Sequence, residues 1–163
     1  MGHAMRIWVD LANSPQVLFF LPLLRALRES GQEVTVTLRD YAETASLAQQ
    51  YGIEGAVVGT HGGRGRLKKL PNLVKRSVQL ARHARGRHFH IAVCHNSPPH
   101  ILAGRMIGAR VVNLMDYEGQ PSNHISFRTA HKIIVPECFP ESALKRFGAG
   151  NGRVYRYAGF KEQ

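Results

Sequence analysis

The chain has 163 residues, enough for one domain that buries a sizeable core without disulfide staples. Its two cysteines, Cys94 and Cys138, sit in no metal-ligand or redox spacing and read as reduced core or near-core thiols of a cytoplasmic protein, and with no run of about 18 apolar residues no transmembrane helix is expected. Lys and Arg number 22 against 11 Asp and Glu, a formal net charge of +11, which favours polyanionic partners or reflects an acidic partner or second domain that the chain lacks.

Met1-Gly2-His3-Ala4 reads as an added leader, residues 1–4, with Met5 as the native start. From there short β-branched runs alternate with helical ones. Strands are expected at 6–10, 33–38, 55–58, 90–94, 110–115, 132–135 and 153–157. Helices are expected near 18–30, 41–51, 70–85, 98–107, 123–131 and 140–147, several closed by a following glycine such as Gly31 or Gly108. The first helix is expected to start between Leu18 and Leu21. Pro22 is then in its first turn, where a missing N–H costs nothing, and 11–17 is a loop. Single helices between strands mean crossover units. The fold class is α/β, a Rossmann-like three-layer αβα sandwich on a mostly parallel sheet of six or seven strands ordered 3-2-1-4-5-6.

In such a sheet ligands sit beyond the carboxyl ends of the strands. On that rim fall Asn13, Ser14 and Gln16 after the first strand, and His95, Asn96 and Ser97 after the fourth. Asp116, Glu118 and Asn123 follow the fifth, and Glu137 the sixth. The first three are read as positioning groups. Asn96, Ser97 and Asn123 are read as hydroxyl contacts, and His95 or Glu118 as general base. His88 and His90 fall at the opposite end of the sheet. No Gly-x-Gly-x-x-Gly follows the first strand, no Walker-type Gly-Lys-Ser/Thr occurs, and the nine histidines show no zincin-like spacing, so no metal is expected. The Gly- and Arg-rich run 60–69 reads as a mobile basic loop able to close over a phosphate. Lys75, Arg82 and Arg85 on the 70–85 helix read as a mostly solvated face that also suits an anionic surface.

Six stretches, in order, resemble a prokaryotic family of unknown function: "MRIWVDLANSPQVLFFLPLLRAL", "GQEVTVTLRDYAET", "HGG", "SPP", "DYEGQPSNHISFRTAHKIIVPE" and "ALKRFGAG". Members of that family look like B-type glycosyltransferases, which pair two Rossmann-like domains, and more distantly like UDP-N-acetylglucosamine 2-epimerases. The resemblance spans 5–163. It implies that 5–158 is an amino-terminal, acceptor-side domain, that 159–163 begin a crossover to a carboxy-terminal domain, and that this absent domain is the chain's first partner. It also implies a nucleotide-sugar donor for the full-length protein, no cofactor in this domain, and a sugar or lipid-linked acceptor. Gln16 stands where the family often has His. His95-Asn96-Ser97 stands where the epimerases carry His-Gly-Asp, and no Glu-x-x-Asn-Arg run follows, so epimerase chemistry is not the leading expectation. The alternative is a non-catalytic module whose basic face binds polyanion or an anionic membrane, peripheral at the inner face. Nucleic acid is not the expected partner.

Overall fold

The computed structural model describes residues 4–60, 69–150 and 152–159. Thirteen elements alternate from first to last: β1 (Arg6–Leu11), α1 (Ser14–Glu29), β2 (Glu33–Asp40), α2 (Thr44–Gln50), β3 (Ala56–Thr60), α3 (Lys69–Ala84), β4 (Ile91–His95), α4 (Pro98–Met106), β5 (Arg110–Leu114), α5 (Asn123–Thr129), β6 (Lys132–Pro136), α6 (Glu141–Arg146) and β7 (Val154–Tyr157). The sheet is parallel throughout, in the order β3-β2-β1-β4-β5-β6-β7. This is the anticipated Rossmann-like order with β7 added at the edge. The order reverses between β1 and β4, where Ile7 pairs with Ile91 and Asp10 with Cys94.

β1 is central and covered on both faces, which its near-continuous apolar run requires. Side chains alternate across it. Ile7, Val9 and Leu11 join Val17, Phe20 and Leu24 of α1 in one buried cluster. Trp8 points the other way and joins Leu80 of α3, Ile101 of α4 and Phe127 of α5 in a second buried cluster. Asp10 shares the Trp8 face by the same alternation. Gly104 brings α4 close to the sheet. A Cβ there would lie 2.9 Å from Val111 Cγ2 and 3.0 Å from Ala92 Cβ.

Two expectations are corrected. α1 begins at Ser14, and Pro15 occupies its first turn, where proline is favoured. Only Ala12 and Asn13 separate it from β1, so 11–17 is not a loop. Pro22 lies inside the helix on its exposed side, close to the exposed Leu18 whose carbonyl it cannot serve. The lost bond faces water, which is why the helix continues through it. Cys138 is exposed and only Cys94 is buried. No described helix is long and apolar enough to cross a membrane. Of the Gly- and Arg-rich run 60–69, expected as a phosphate loop, Thr60 ends β3 and Lys69 begins α3, while 61–68, like residues 160–163 where most of the crossover was expected, lie outside the described residues.

Candidate functional site

Beneath the switch point is a buried polar hub. Asp10 is fully buried, and its carboxylate accepts four hydrogen bonds. Arg76 of α3 donates two of them, at 2.8 and 3.0 Å, and the hydroxyls of Thr37 and Ser97 donate at 2.8 Å each. Trp8 Nε1 donates to Thr37 Oγ1, extending the chain to the sheet's centre. Arg76 Nε donates to the Val58 carbonyl. Gly59, at φ +79°, admits the Arg76 methylenes to 3.0 Å from where a Cβ would stand. Burial by itself would raise the Asp10 carboxyl. The Arg76 charge, with His100 and the hydrogen bonds from Arg76 and Ser97, outweighs it and holds the carboxyl below its ordinary value. His100 is fully buried, edge-on to Trp8, and neither ring nitrogen has a hydrogen-bond partner. Burial, more than any charge, brings its pKa down to about 4. His100 is therefore a core residue, not part of the rim.

Above this hub four rim loops enclose a cleft of about 410 Å³. The β1–α1 junction contributes Asn13 and Gln16, and β4 contributes His95 and Asn96. Asp116 and Tyr117 follow β5, and Arg39 and Tyr41 come from the end of β2. Sequence reasoning placed Asn13, Gln16, His95, Asn96 and Asp116 on this rim and missed Arg39 and Tyr41. A cation closing the strand run Glu33 to Leu38 was the available signal. The β2–β3 ladder slips between Leu38 and Asp40, on either side of Arg39, and such irregularities re-aim side chains beside sites.

Gln16 is 3% exposed and bridges two strands: Ala12 N–H donates to its Oε1 at 2.7 Å, and its Nε2 donates to the His95 carbonyl at 2.8 Å. Asn96 is held left-handed at φ +46°. Its N–H donates to Asn113 Oδ1, its Nδ2 to Ser122 Oγ, and its Oδ1 accepts from Ser126 Oγ. Both amides therefore shape the rim with most of their capacity spent. Ser97 faces inward to Asp10, and Ser14 is the first residue of α1. Asn123 is buried and donates to the Tyr117 carbonyl, while Glu118 and Glu137 are exposed and do not line the cleft.

What remains open to a ligand is compact. His95 is 8% exposed, its ring edge-on to Phe19, and its Nε2 lies 3.2 Å from Asp116 Oδ1. That is ion-pair distance without hydrogen-bond alignment. Asn13 caps α1 through its backbone alone, and its Oδ1 is buried without a partner. No acidic residue lies in the first turn of α1, so its positive end is uncompensated there. Arg39 belongs to none of the ion pairs among the described residues, and its buried Nε makes no hydrogen bond. Burial, then the neighbouring Arg76 charge, lowers its pKa from the usual guanidinium value. The cleft thus combines an imidazole–carboxylate pair with a helix N-terminus and a cation that lies over the Tyr41 ring and has no ion-pair partner among the described residues. No group of three or more described His, Cys, Asp or Glu side chains is placed to hold a metal.

A family model described as "Protein of unknown function (DUF354)" matches residues 5–163. The chain belongs to this family. A curated relative, an uncharacterised protein of Methanocaldococcus jannaschii, is 30% identical over 149 residues, covering 89% of this chain and 42% of its own length. Among solved structures, Acinetobacter baumannii MurG is 16% identical with a TM-score of 0.67, over 85% of this chain and 43% of that one. A Listeria monocytogenes protein described as a UDP-N-acetylglucosamine 2-epimerase is 13% identical with a TM-score of 0.73, over 94% and 45%. Anabaena Alr3699/HepE, solved with UDP and glucose, is 15% identical with a TM-score of 0.67, over 97% and 45%. This family member therefore has the Rossmann-like fold of B-type glycosyltransferases and of this epimerase. It spans less than half the length of each of these proteins.

Proposed function

We propose that this domain is the acceptor side of a nucleotide-sugar-dependent glycosyltransferase, with His95 as general base and Asp116 as its partner. The observation that carries the reading is the His95 Nε2–Asp116 Oδ1 approach of 3.2 Å at the mouth of the switch-point cleft. Acceptor binding completes the alignment of His95 Nε2–H on Asp116; the other ring nitrogen, Nδ1, then takes the proton of an acceptor hydroxyl, and Asp116 steadies the imidazolium that forms. The acceptor oxygen bonds to the anomeric carbon as the bond from that carbon to the donor's phosphate oxygen breaks. The nucleotide leaves as its diphosphate, and the proton stays on His95. Asn13 Oδ1 is an acceptor for a ligand hydroxyl or amide. The donor is held by the rest of the full-length protein.

Nucleotide release from UDP-sugars by the full-length family protein, with acceptor supplied, is the test. His95→Ala and Asp116→Asn are each expected to lower kcat about 100-fold or more, with the melting temperature little changed. Turnover that survives both substitutions would remove this pair from the chemistry.

A further inference from the structure

The net charge is not spread over the molecule. Between Glu54 and Asp116 the sequence carries eleven Lys and Arg and no Asp or Glu, while the rest of the chain balances eleven cations against eleven acids. The whole excess of +11 therefore arises in one segment, and its described core is α3, β4 and α4.

On α3 the cations do not stand apart from the apolar residues. At 100° per residue Leu70, Pro71, Val74, Lys75, Val78, Arg82 and Arg85 share one outward arc. Leu70 is 68% and Val74 54% exposed, and Lys75, Arg82 and Arg85 are exposed beside them. Met106, at the end of α4, adds a third open aliphatic at 61%. Between the carboxyl ends of the two helices runs a groove of about 500 Å³, lined by Val78, Phe89, Met106 and Ile107 and edged by Arg82 and Arg85. A purely solvated face would not leave Leu70, Val74 and Met106 open to water. A polyanion in water would use the cations and gain nothing from the aliphatics.

We propose that the outer face of α3, continued by the end of α4, docks this protein on a bilayer rich in anionic lipid headgroups. Lys75, Arg82 and Arg85 meet headgroup phosphates, and Leu70, Val74 and Met106 enter the layer beneath them. Both contributions are needed, because cations alone hold a protein only loosely at a charged surface and scattered aliphatics alone do not hold it at all. This inference uses no residue of the cleft and stands apart from its chemistry.

Flotation with vesicles of phosphatidylcholine, with and without phosphatidylglycerol, tests it. Binding is expected to be about tenfold or more stronger on the anionic vesicles and to weaken with salt. Arg82→Glu with Arg85→Glu should return it to the level of neutral vesicles, and Leu70→Asp with Val74→Asp should weaken it as well. Arg25→Glu with Arg28→Glu, an equal charge change on the exposed side of α1, should leave most of the binding intact. Circular dichroism confirms that each variant is folded. The proposal fails if both arginine pairs lower binding equally, for that is net charge without a site. It also fails if Leu70→Asp with Val74→Asp has no effect, or if a single-stranded RNA of equal charge binds more tightly than the vesicles through Arg82 and Arg85.

Discussion

Replacing Arg76 by methionine keeps an unbranched apolar stem and removes the guanidinium with its charge. Asp10 then loses two charge-assisted hydrogen bonds, at 2.8 and 3.0 Å, and keeps only the Thr37 and Ser97 hydroxyls. The carboxylate stays fully buried. Removing one partner of a buried ion pair costs about 3–5 kcal/mol, because the remaining charge is left in low dielectric. Against a total stability on the order of 5–15 kcal/mol this is a large loss at pH 7. Its pH dependence has a definite sign. In the native protein the Asp10 carboxyl lies below its ordinary value, so its stabilisation is present above the unfolded pKa of about 3.9 and is lost as pH falls through the folded one. In Arg76→Met burial is no longer outweighed and the folded carboxyl rises above the unfolded value. The penalty is then full above that raised pKa and shrinks as pH falls toward the unfolded one. Urea unfolding followed through Trp8, the only tryptophan and fully buried, reads both effects. The gap between native and variant should be widest at pH 7 and narrow by pH 5, and Asp10→Leu in the Arg76→Met background should recover much of it. A loss under about 1 kcal/mol at pH 7, unchanged at pH 5, would refute the hub as a charged pin.

The remaining predictions concern the same core. His100 is neutral when folded, with its pKa near 4 against about 6.5 unfolded, so its contribution holds above the unfolded value and fades as pH falls from about 6.5 to about 4. That amounts to about 3 kcal/mol, and His100→Leu should flatten this limb of a stability–pH curve; an unchanged limb would place its origin elsewhere. Gly104→Ala puts a methyl 2.9 Å from Val111 and 3.0 Å from Ala92. Overpacking of about 1–3 kcal/mol should exceed the helix gain of about 1 kcal/mol and lower the melting temperature; a rise would mean that α4 has room to move outward.

The strand order was legible because single helices between apolar strands leave few topologies, and every strand of the expected order sits where the pattern put it. The start of α1 was not. Asn13-Ser14-Pro15 is equally good turn chemistry and helix-start chemistry, and Pro22 is tolerated only because it faces water, an orientation that no local pattern carries. The rim was legible as a set of polar strand ends, which placed Asn13, His95 and Asp116 at the cleft. The inward turn of Ser97 was hidden because its partners, Asp10 and Arg76, are brought to it only by tertiary packing. Arg39 stands one residue before the end of β2, the same rim position class as His95 at the end of β4, so its place was available from the strand pattern.

The hydrogen bonds around Gln16 and Asn96 also decide how the cleft can adapt to what enters it. Gln16 fastens the β1 edge to the β4 edge, and Asn96 fastens β4 to β5 and to the start of α5. Those three edges form a single stiff jaw that carries His95. The opposite jaw, at the end of β2, carries local bonds, Tyr41 N–H to the Arg39 carbonyl and the Thr44 hydroxyl to the Tyr41 carbonyl, beside the ladder in which Asp40 meets Thr60 of β3. Amide exchange should be slow along the first jaw. Whatever enters the cleft then meets an imidazole whose line of approach is held by side-chain bonds reaching it from three edges.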